Sequence, residues 1–212
     1  MSRTEFLPPY RYTLPEGCFP LGRDSLALGE FATVRPRQKV CDLGCGGGLL
    51  LLLLSRRAEG LALHGVELDP VAAQAARDNL TANGLEGQIL TGDLRLLPYP
   101  AGSFPLVVSN PPYFAAGSGR SGGPTRMEDG CTLAELCTSA GRLVQNGGRF
   151  ALVHRPERLT DLLCALRAAR LEPKRLCFLQ HDAAHPPSAV LVEAVKNGRP
   201  GVEILPVRLT GG

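Results

Sequence analysis

Val40-Cys41-Asp42-Leu43-Gly44-Cys45-Gly46-Gly47-Gly48, followed at once by six leucines from Leu49 to Leu54, decides the fold. Val40 to Leu43 is short, apolar and β-prone. The glycines permit a tight turn, and the leucine run suits a helix buried on all sides. A strand that passes through glycines straight into a helix opens a βαβ unit. The alternation continues downstream, with strands expected near 39–43, 62–67, 87–91, 105–109 and 149–154 and helices over 48–58, 70–83, roughly 131–144 and 156–169. The second helix is well punctuated: Asp69 can cap it, Pro70 suits its first position and Gly84 can end it. Arg175 to Gln180 and Ala189 to Lys196 read as two more strands, joined by a His181–Ser188 loop whose length suits an antiparallel return. The expected fold class is therefore α/β: a doubly wound, seven-stranded, mostly parallel sheet with an antiparallel C-terminal strand pair.

A chain of 212 residues, 44% hydrophobic and 20% charged, is enough for one core. Residues 1–38 precede the alternating pattern. They are expected to form an N-terminal arm or cap on a domain of 39–212, the two making effectively one domain. Phe6, Tyr10, Tyr12, Phe19 and Phe31 concentrate in that arm, where rings can either anchor it to the core or grip a substrate. The net charge of +3 gives no long-range basic field, so charge leaves the partner open. Seven cysteines without a C-x-x-C pair read as reduced thiols, with neither a zinc site nor a disulfide framework indicated. The leucine run is far short of the roughly 20 apolar residues that cross a bilayer. The first residues also lack the pattern of a signal peptide. A cytoplasmic protein without membrane or metal is expected.

The expected strand tips carry the chemistry. In the first turn Gly44, Gly46 and Gly48 let the backbone approach a ligand, and amides at a helix start attract a carboxylate or phosphate. Asp42, two residues before the first glycine, would repel a pyrophosphate but attract an ammonium group. That favours an amino-acid-bearing cofactor over a dinucleotide. Glu67, at the tip of the second strand, is placed to accept bonds from ribose hydroxyls. Asp93, after the third, offers an acceptor for an adenine amine, with Leu94 as an apolar wall. This order of motifs over roughly Lys39 to Lys196 resembles the class I methyltransferase fold, in which the same positions hold the three parts of S-adenosylmethionine.

The fourth strand ends in Asn110-Pro111-Pro112-Tyr113, followed by Phe114. Two prolines fix the backbone and remove two donors, which leaves a rigid platform of acceptors. The Asn110 side-chain oxygen and the Pro111 carbonyl can each take one N–H of a planar amine, while Pro112, Tyr113 and Phe114 line and stack on a flat substrate group. Asn110 would also face the cofactor. The motif resembles that of methyltransferases acting on adenine amines or glutamine amides.

Further stretches are similar to the bacterial family that methylates adenine beside the anticodon of valine tRNA: Asp24-Ser25-Leu26-Ala27-Leu28, Arg126-Met127-Glu128, Phe150 to Leu159 and Pro186 to Ala194. The resemblance implies an S-adenosylmethionine-dependent N6-adenine methyltransferase with an RNA substrate, tRNA favoured. Alternatives are glutamine methylation of a translation release factor, adenine methylation of rRNA or DNA, and a non-catalytic S-adenosylmethionine-binding module associated with RNA.

Overall fold

A computed structural model describes residues 3–15, 22–111 and 131–211. After an N-terminal hairpin, β1 (Arg3–Leu7) and β2 (Tyr10–Leu14), come α1 (Arg23–Phe31), β3 (Lys39–Leu43), α2 (Leu49–Ser55), β4 (Ala62–Glu67), α3 (Pro70–Ala82), β5 (Gly87–Thr91) and β6 (Phe104–Ser109). The chain continues with α4 (Leu133–Leu143), β7 (Val144–His154), α5 (Leu159–Ala168), β8 (Leu171–Gln180), β9 (Pro187–Lys196) and the two-residue strands β10 (Glu203–Ile204) and β11 (Arg208–Leu209).

The main sheet runs β10-β8-β9-β7-β6-β3-β4-β5, with β11 also on β8. Strands β3 to β7 pair in parallel, and β9 lies antiparallel between β7 and β8. Seven strands thus form the doubly wound sheet that the alternation predicts, and β10 and β11 add short parallel pairings on its β8 edge. The strand order reverses between β3 and β6, because the chain winds outward from β3 through β4 and β5 before returning to β6. In open α/β sheets that switch point leaves a crevice at the carboxyl ends of the strands.

Each face of the sheet carries its own core. Leu28 and Phe31 of α1, all six leucines of α2, and Ala73, Ala76 and Leu80 of α3 form one. Leu136, Cys137, Ala140 and Leu143 of α4, with Leu162 and Leu166 of α5, form the other. The leucines of α2 are at most 7% exposed, so this helix is apolar all round because it is buried all round. Helix α3 follows its sequence signals: Asp69 accepts from the Val71 amide at 2.8 Å, Pro70 opens the helix, and Gly84 takes a left-handed φ of 67° beyond its end. Thr132 and Glu135 form a reciprocal capping box on α4.

Several elements differ from expectation. Helix α1 and the β1–β2 hairpin lie in the stretch read as an arm. β7 begins at Val144 rather than 149, and β8 at Leu171 rather than 175, its pairing with β9 shifting register around Pro173. The segment 156–158 is a 3-10 turn leading into α5. Among the described residues no helix is long and apolar enough to cross a membrane.

One buried acid fastens α1 to the sheet. Glu193 of β9 is fully buried and accepts from the Thr33 amide at 2.7 Å and the Thr33 hydroxyl at 2.9 Å, both just beyond α1. It also accepts from Arg149 at 2.8 Å and Arg175 at 3.2 Å. Two arginines and two further donors satisfy the charge; truncating it would leave the Thr33 amide without its acceptor and both guanidiniums without their carboxylate, while Arg175 keeps the Phe31 carbonyl and the Thr33 hydroxyl. Glu193→Ala is expected to cost about 3–5 kcal/mol, the scale for breaking a buried ion pair. Urea unfolding checks this, and a loss smaller than that of a typical surface substitution would refute it.

Candidate active site

The four central strand ends are laced together. The amides of Gly44 and Cys45 donate to the Val66 carbonyl at 2.8 and 3.0 Å, which joins the end of β3 to that of β4. The Gly92 amide donates to the Glu67 carbonyl at 2.8 Å, joining β5 to β4. Ser109, fully buried, donates its hydroxyl to the Leu43 carbonyl at 2.7 Å, joining β6 to β3. Asp42, Glu67, the segment at Asp93 and Asn110 thereby share one edge of the sheet around its switch point.

In the glycine turn Gly44, Gly46 and Gly48 all have positive φ, at 74°, 50° and 84°. The turn needs them, since a Cβ is strained in that region. Gly47 is in close contact with the hairpin: a Cβ there would sit 2.9 Å from the Tyr12 hydroxyl and 2.7 Å from a Leu14 methyl, and those side-chain ends would have to shift. The hairpin therefore presses directly on the turn. The amides of Gly44, Cys45, Gly46 and Gly48 all have protein acceptors, so these four are committed to holding the turn rather than open to a ligand's carboxylate.

Asp42 is 1% exposed and its Oδ1 is a buried polar atom without a hydrogen-bond partner. Burial first, and the charge of Glu67 second, push its carboxyl well above the usual range. An acid in that condition gains from a cation brought beside it. The Cys45 thiol is likewise pushed up by burial and then by Asp42, so it stays protonated and is no nucleophile.

Glu67 has a task that its position in the sequence did not reveal. Oε2 accepts from the Gly46 amide at 2.8 Å and Oε1 from the Asp69 amide at 2.9 Å, so its carboxylate braces the glycine turn against the start of α3. Each oxygen retains a second acceptor site. Asp93 accepts from the Arg95 amide at 2.8 Å and from the Arg95 guanidinium Nε at 2.9 Å, and that guanidinium holds its carboxyl below the usual range. Arg95 also reaches Glu135 of α4 at 3.3 Å. Leu94 is buried in the second core, whereas Leu68 and Val71, beside Glu67, are 59% and 54% exposed.

Asn110 is half-buried and Pro111 buried at the end of β6. The Asn110 amide nitrogen donates to the hydroxyl of Ser25, on α1, at 2.7 Å. Pro112, Tyr113 and Phe114 lie outside the described residues. Sequence reasoning also missed Asn79 of α3, which is 3% exposed. It donates to the carbonyls of Thr13 and Gly47 at 2.9 Å each and accepts from the Thr13 amide at 2.8 Å. One turn on, Asn83 treats Arg11 in the same way, accepting from its amide at 2.8 Å and donating to its carbonyl at 2.7 Å. Asn79 in α3 and Asn83 just past its end thus take the place of a neighbouring strand for alternate residues of β2, and Asn79 couples the hairpin to the glycine turn.

Residues 24–163 match the model of the methyltransferase small domain family. The chain belongs to that family. Its relatives include tRNA1(Val) (adenine(37)-N6)-methyltransferases. That of Aeromonas hydrophila is 32% identical over 68% of this chain and 63% of its own length. Those of Porphyromonas gingivalis and Dickeya chrysanthemi are 31% and 28% identical over 82% and 90% of this chain, covering 73% and 78% of their own lengths. Among solved structures, a predicted O-methyltransferase of Agrobacterium tumefaciens superposes with a TM-score of 0.72 at 20% identity, covering 89% of each chain. A geranyl diphosphate C-methyltransferase of Streptomyces coelicolor, solved with S-adenosyl-L-homocysteine, gives 0.62 at 16% identity over 80% of this chain and 78% of its own. At those identities the superpositions show the class I methyltransferase fold.

Asn79→Ala leaves the Thr13 amide and the carbonyls of Thr13 and Gly47 without their partner. The expected outcome is a loss of about 1–3 kcal/mol, the cost of stranding buried polar groups, with faster amide exchange at Thr13. Hydrogen exchange read residue by residue tests this, and unchanged protection at Thr13 would contradict it.

Proposed function

We propose that this methyltransferase-family chain uses S-adenosylmethionine to methylate the N6 amine of adenine in RNA, with a tRNA base beside the anticodon as substrate. The observation that carries the reading is Asn110-Pro111 at the switch point, tied through Ser109 to the strand that leads into the glycine turn. The relatives named as tRNA adenine-N6 methyltransferases support the choice of substrate.

The residues present fit the cofactor. The unpartnered Oδ1 of buried Asp42 is the acceptor that an ammonium group requires. Glu67 keeps lone pairs for ribose hydroxyls, and exposed Leu68 and Val71 offer an apolar surface to a purine. Asp93 would serve the adenine amine only in competition with Arg95. Gly44, Gly46 and Gly48 contribute close backbone approach. When bound, S-adenosylmethionine supplies an electrophilic methyl group on a sulfonium.

The protein's own contribution is orientation and electrostatics. An adenine amine is a poor nucleophile because its lone pair is delocalised into the ring. With one N–H on the Asn110 side-chain oxygen and the other on the Pro111 carbonyl, the nitrogen is held in one attitude and can pyramidalise. Both bonds strengthen as positive charge develops on nitrogen, so they favour the transition state over the ground state. No strong base is needed for the transfer itself. Tyr113, flanked in sequence by Pro112 and Phe114, is assigned the stacking contact with the base, worth about 1–3 kcal/mol. An anticodon-loop base is already unpaired, which lowers the cost of bringing it to this platform.

Asn110→Ala is expected to keep cofactor affinity and to reduce turnover at least about 100-fold, the scale for one transition-state hydrogen bond. Calorimetry and labelled-methyl transfer separate the two quantities, and an equal loss in both would refute the assignment. Offered tRNA, rRNA, DNA and release factor in parallel, the enzyme is expected to label tRNA. Label on release factor alone would overturn the substrate.

Asp42 also sets a pH dependence. Its raised carboxyl must ionise to pair with an ammonium, so cofactor affinity should fall as pH is lowered through that raised value. Binding at a pH below that raised value should release protons. Calorimetry in buffers of different ionisation enthalpy measures the proton count, and proton uptake would contradict the role.

A further inference from the structure

We infer that the outer edge formed by β10 and β11 pairs with the same edge of a second copy of this chain, joining two sheets across a two-fold axis. The inference goes beyond the proposed function and does not depend on it.

A strand at the edge of a sheet presents unpaired backbone groups, and proteins cover the edges they keep to themselves. Two edges here are covered by side chains. Asn79 and Asn83 occupy the outer side of β2, and the Arg77 guanidinium donates at 2.9 Å to the Ile89 carbonyl of β5, at the far end of the main sheet. The β10–β11 edge is left open. The Leu205 amide donates to the Leu176 carbonyl and the Thr210 amide to the Gln180 carbonyl, so Ile204 and Leu209, the residues before them, turn their own N–H and C=O groups away from β8. Beyond β10 and β11 the described residues supply no further strand. Along the same stretch Val202, Ile204, Val207 and Leu209 are all exposed, Ile204 at 68% and Leu209 at 63%. One exposed apolar side chain needs no explanation, but a row of four on an open edge marks a contact surface.

The stretch is complementary to itself, which selects a second copy as the occupant. In antiparallel register Glu203 of each copy lies opposite the partner's Arg208, Ile204 opposite the partner's Val207, and Val202 opposite the partner's Leu209. The faces agree with this register. Leu205 packs against the core on the α1 side, and Arg208 reaches Glu30 of α1 at 3.5 Å. By alternation Glu203 and Arg208 share that face, and the four apolar residues share the other. The backbone agrees too. Ile204 and Leu209 face outward, as do Val207 and Val202 by alternation with their neighbours, so each apolar pair can exchange its N–H and C=O bonds. Pro206 has no N–H to give, but it falls opposite Leu205, whose amide is already spent on β8. Two-fold symmetry makes every contact twice, as an isologous interface requires. Strands β8, β9 and β7 separate this edge from β6, so the crevice stays open in the dimer. The shared surface is small, and association should therefore depend on concentration.

The test uses the full chain. Sedimentation over a dilution series should show a monomer–dimer equilibrium, and NMR should show the Ile204 and Leu209 amides losing exchange protection as the dimer dissociates. Glu203→Arg alone and Arg208→Glu alone each set like charges opposite one another at both symmetric contacts, and should weaken association at least about tenfold. Mixing the two variants makes both contacts attractive and should restore a dimer, now of one copy of each. Ile204→Lys, at a side chain already in solvent, should weaken the dimer without altering either charge pair. Unchanged S-adenosylhomocysteine affinity verifies the fold of each variant. A wild type that is monomeric at every concentration would overturn the inference. So would a dimer that survives both charge reversals and Ile204→Lys, or a mixture that associates no better than either variant alone.

Discussion

Everything at the site depends on how four strands stop at the same height. Where a sheet ends, its last backbone groups lose their ladder partners and must find others. Here they find each other: Gly44 and Cys45 bond to Val66, Gly92 bonds to Glu67, and the Ser109 hydroxyl bonds to Leu43. The lacing crosses the switch point between β3 and β6, where the connections of a doubly wound sheet diverge and leave room for a ligand. One set of hydrogen bonds therefore completes the sheet and lines up the glycine turn with the Asn110 platform.

Against that satisfied background Asp42 stands out. A buried carboxyl with an unpartnered oxygen destabilises the fold, and burial together with nearby Glu67 raises its proton affinity. Such a group is tolerated where a bound cation can offset the cost. Glu67 contributes a carboxylate braced by two backbone amides, so an acid at the tip of β4 also stiffens the glycine turn beside it. The N-terminal elements reach the same place from two sides. The hairpin presses on Gly47 through Tyr12 and Leu14, while α1 reaches Asn110 through Ser25.

What could be read from the sequence was local. The glycine turn, the Asp69-Pro70 cap, the acids at the tips of β3 to β5 and the Asn110-Pro111 segment each declare themselves within a few residues, because turn and cap chemistry is set by immediate neighbours. Helix α1 is hard to read from the sequence because small residues, Ser25, Ala27 and Gly29, share its buried face with Leu28 and Phe31, and Gly29 allows close approach to Leu53. The hairpin strands are five residues each, and the Pro8-Pro9 pair between them reads as an interruption. Asn79, Asn83, Glu193 and Ser25 look like ordinary polar residues on paper. The partners named for them lie from 18 to 160 positions away, and no local pattern encodes such a pairing.

The central claim is that the crevice at the carboxyl ends of β3, β4, β5 and β6 holds the methyl donor. Titrating S-adenosylhomocysteine into the isotope-labelled protein and following backbone amide shifts by NMR tests it most directly. The account predicts the largest shifts at Asp42 to Gly48, Glu67 to Val71, Gly92 and Asn110. Shifts concentrated at the opposite, amino ends of these strands, with the glycine turn silent, would contradict it.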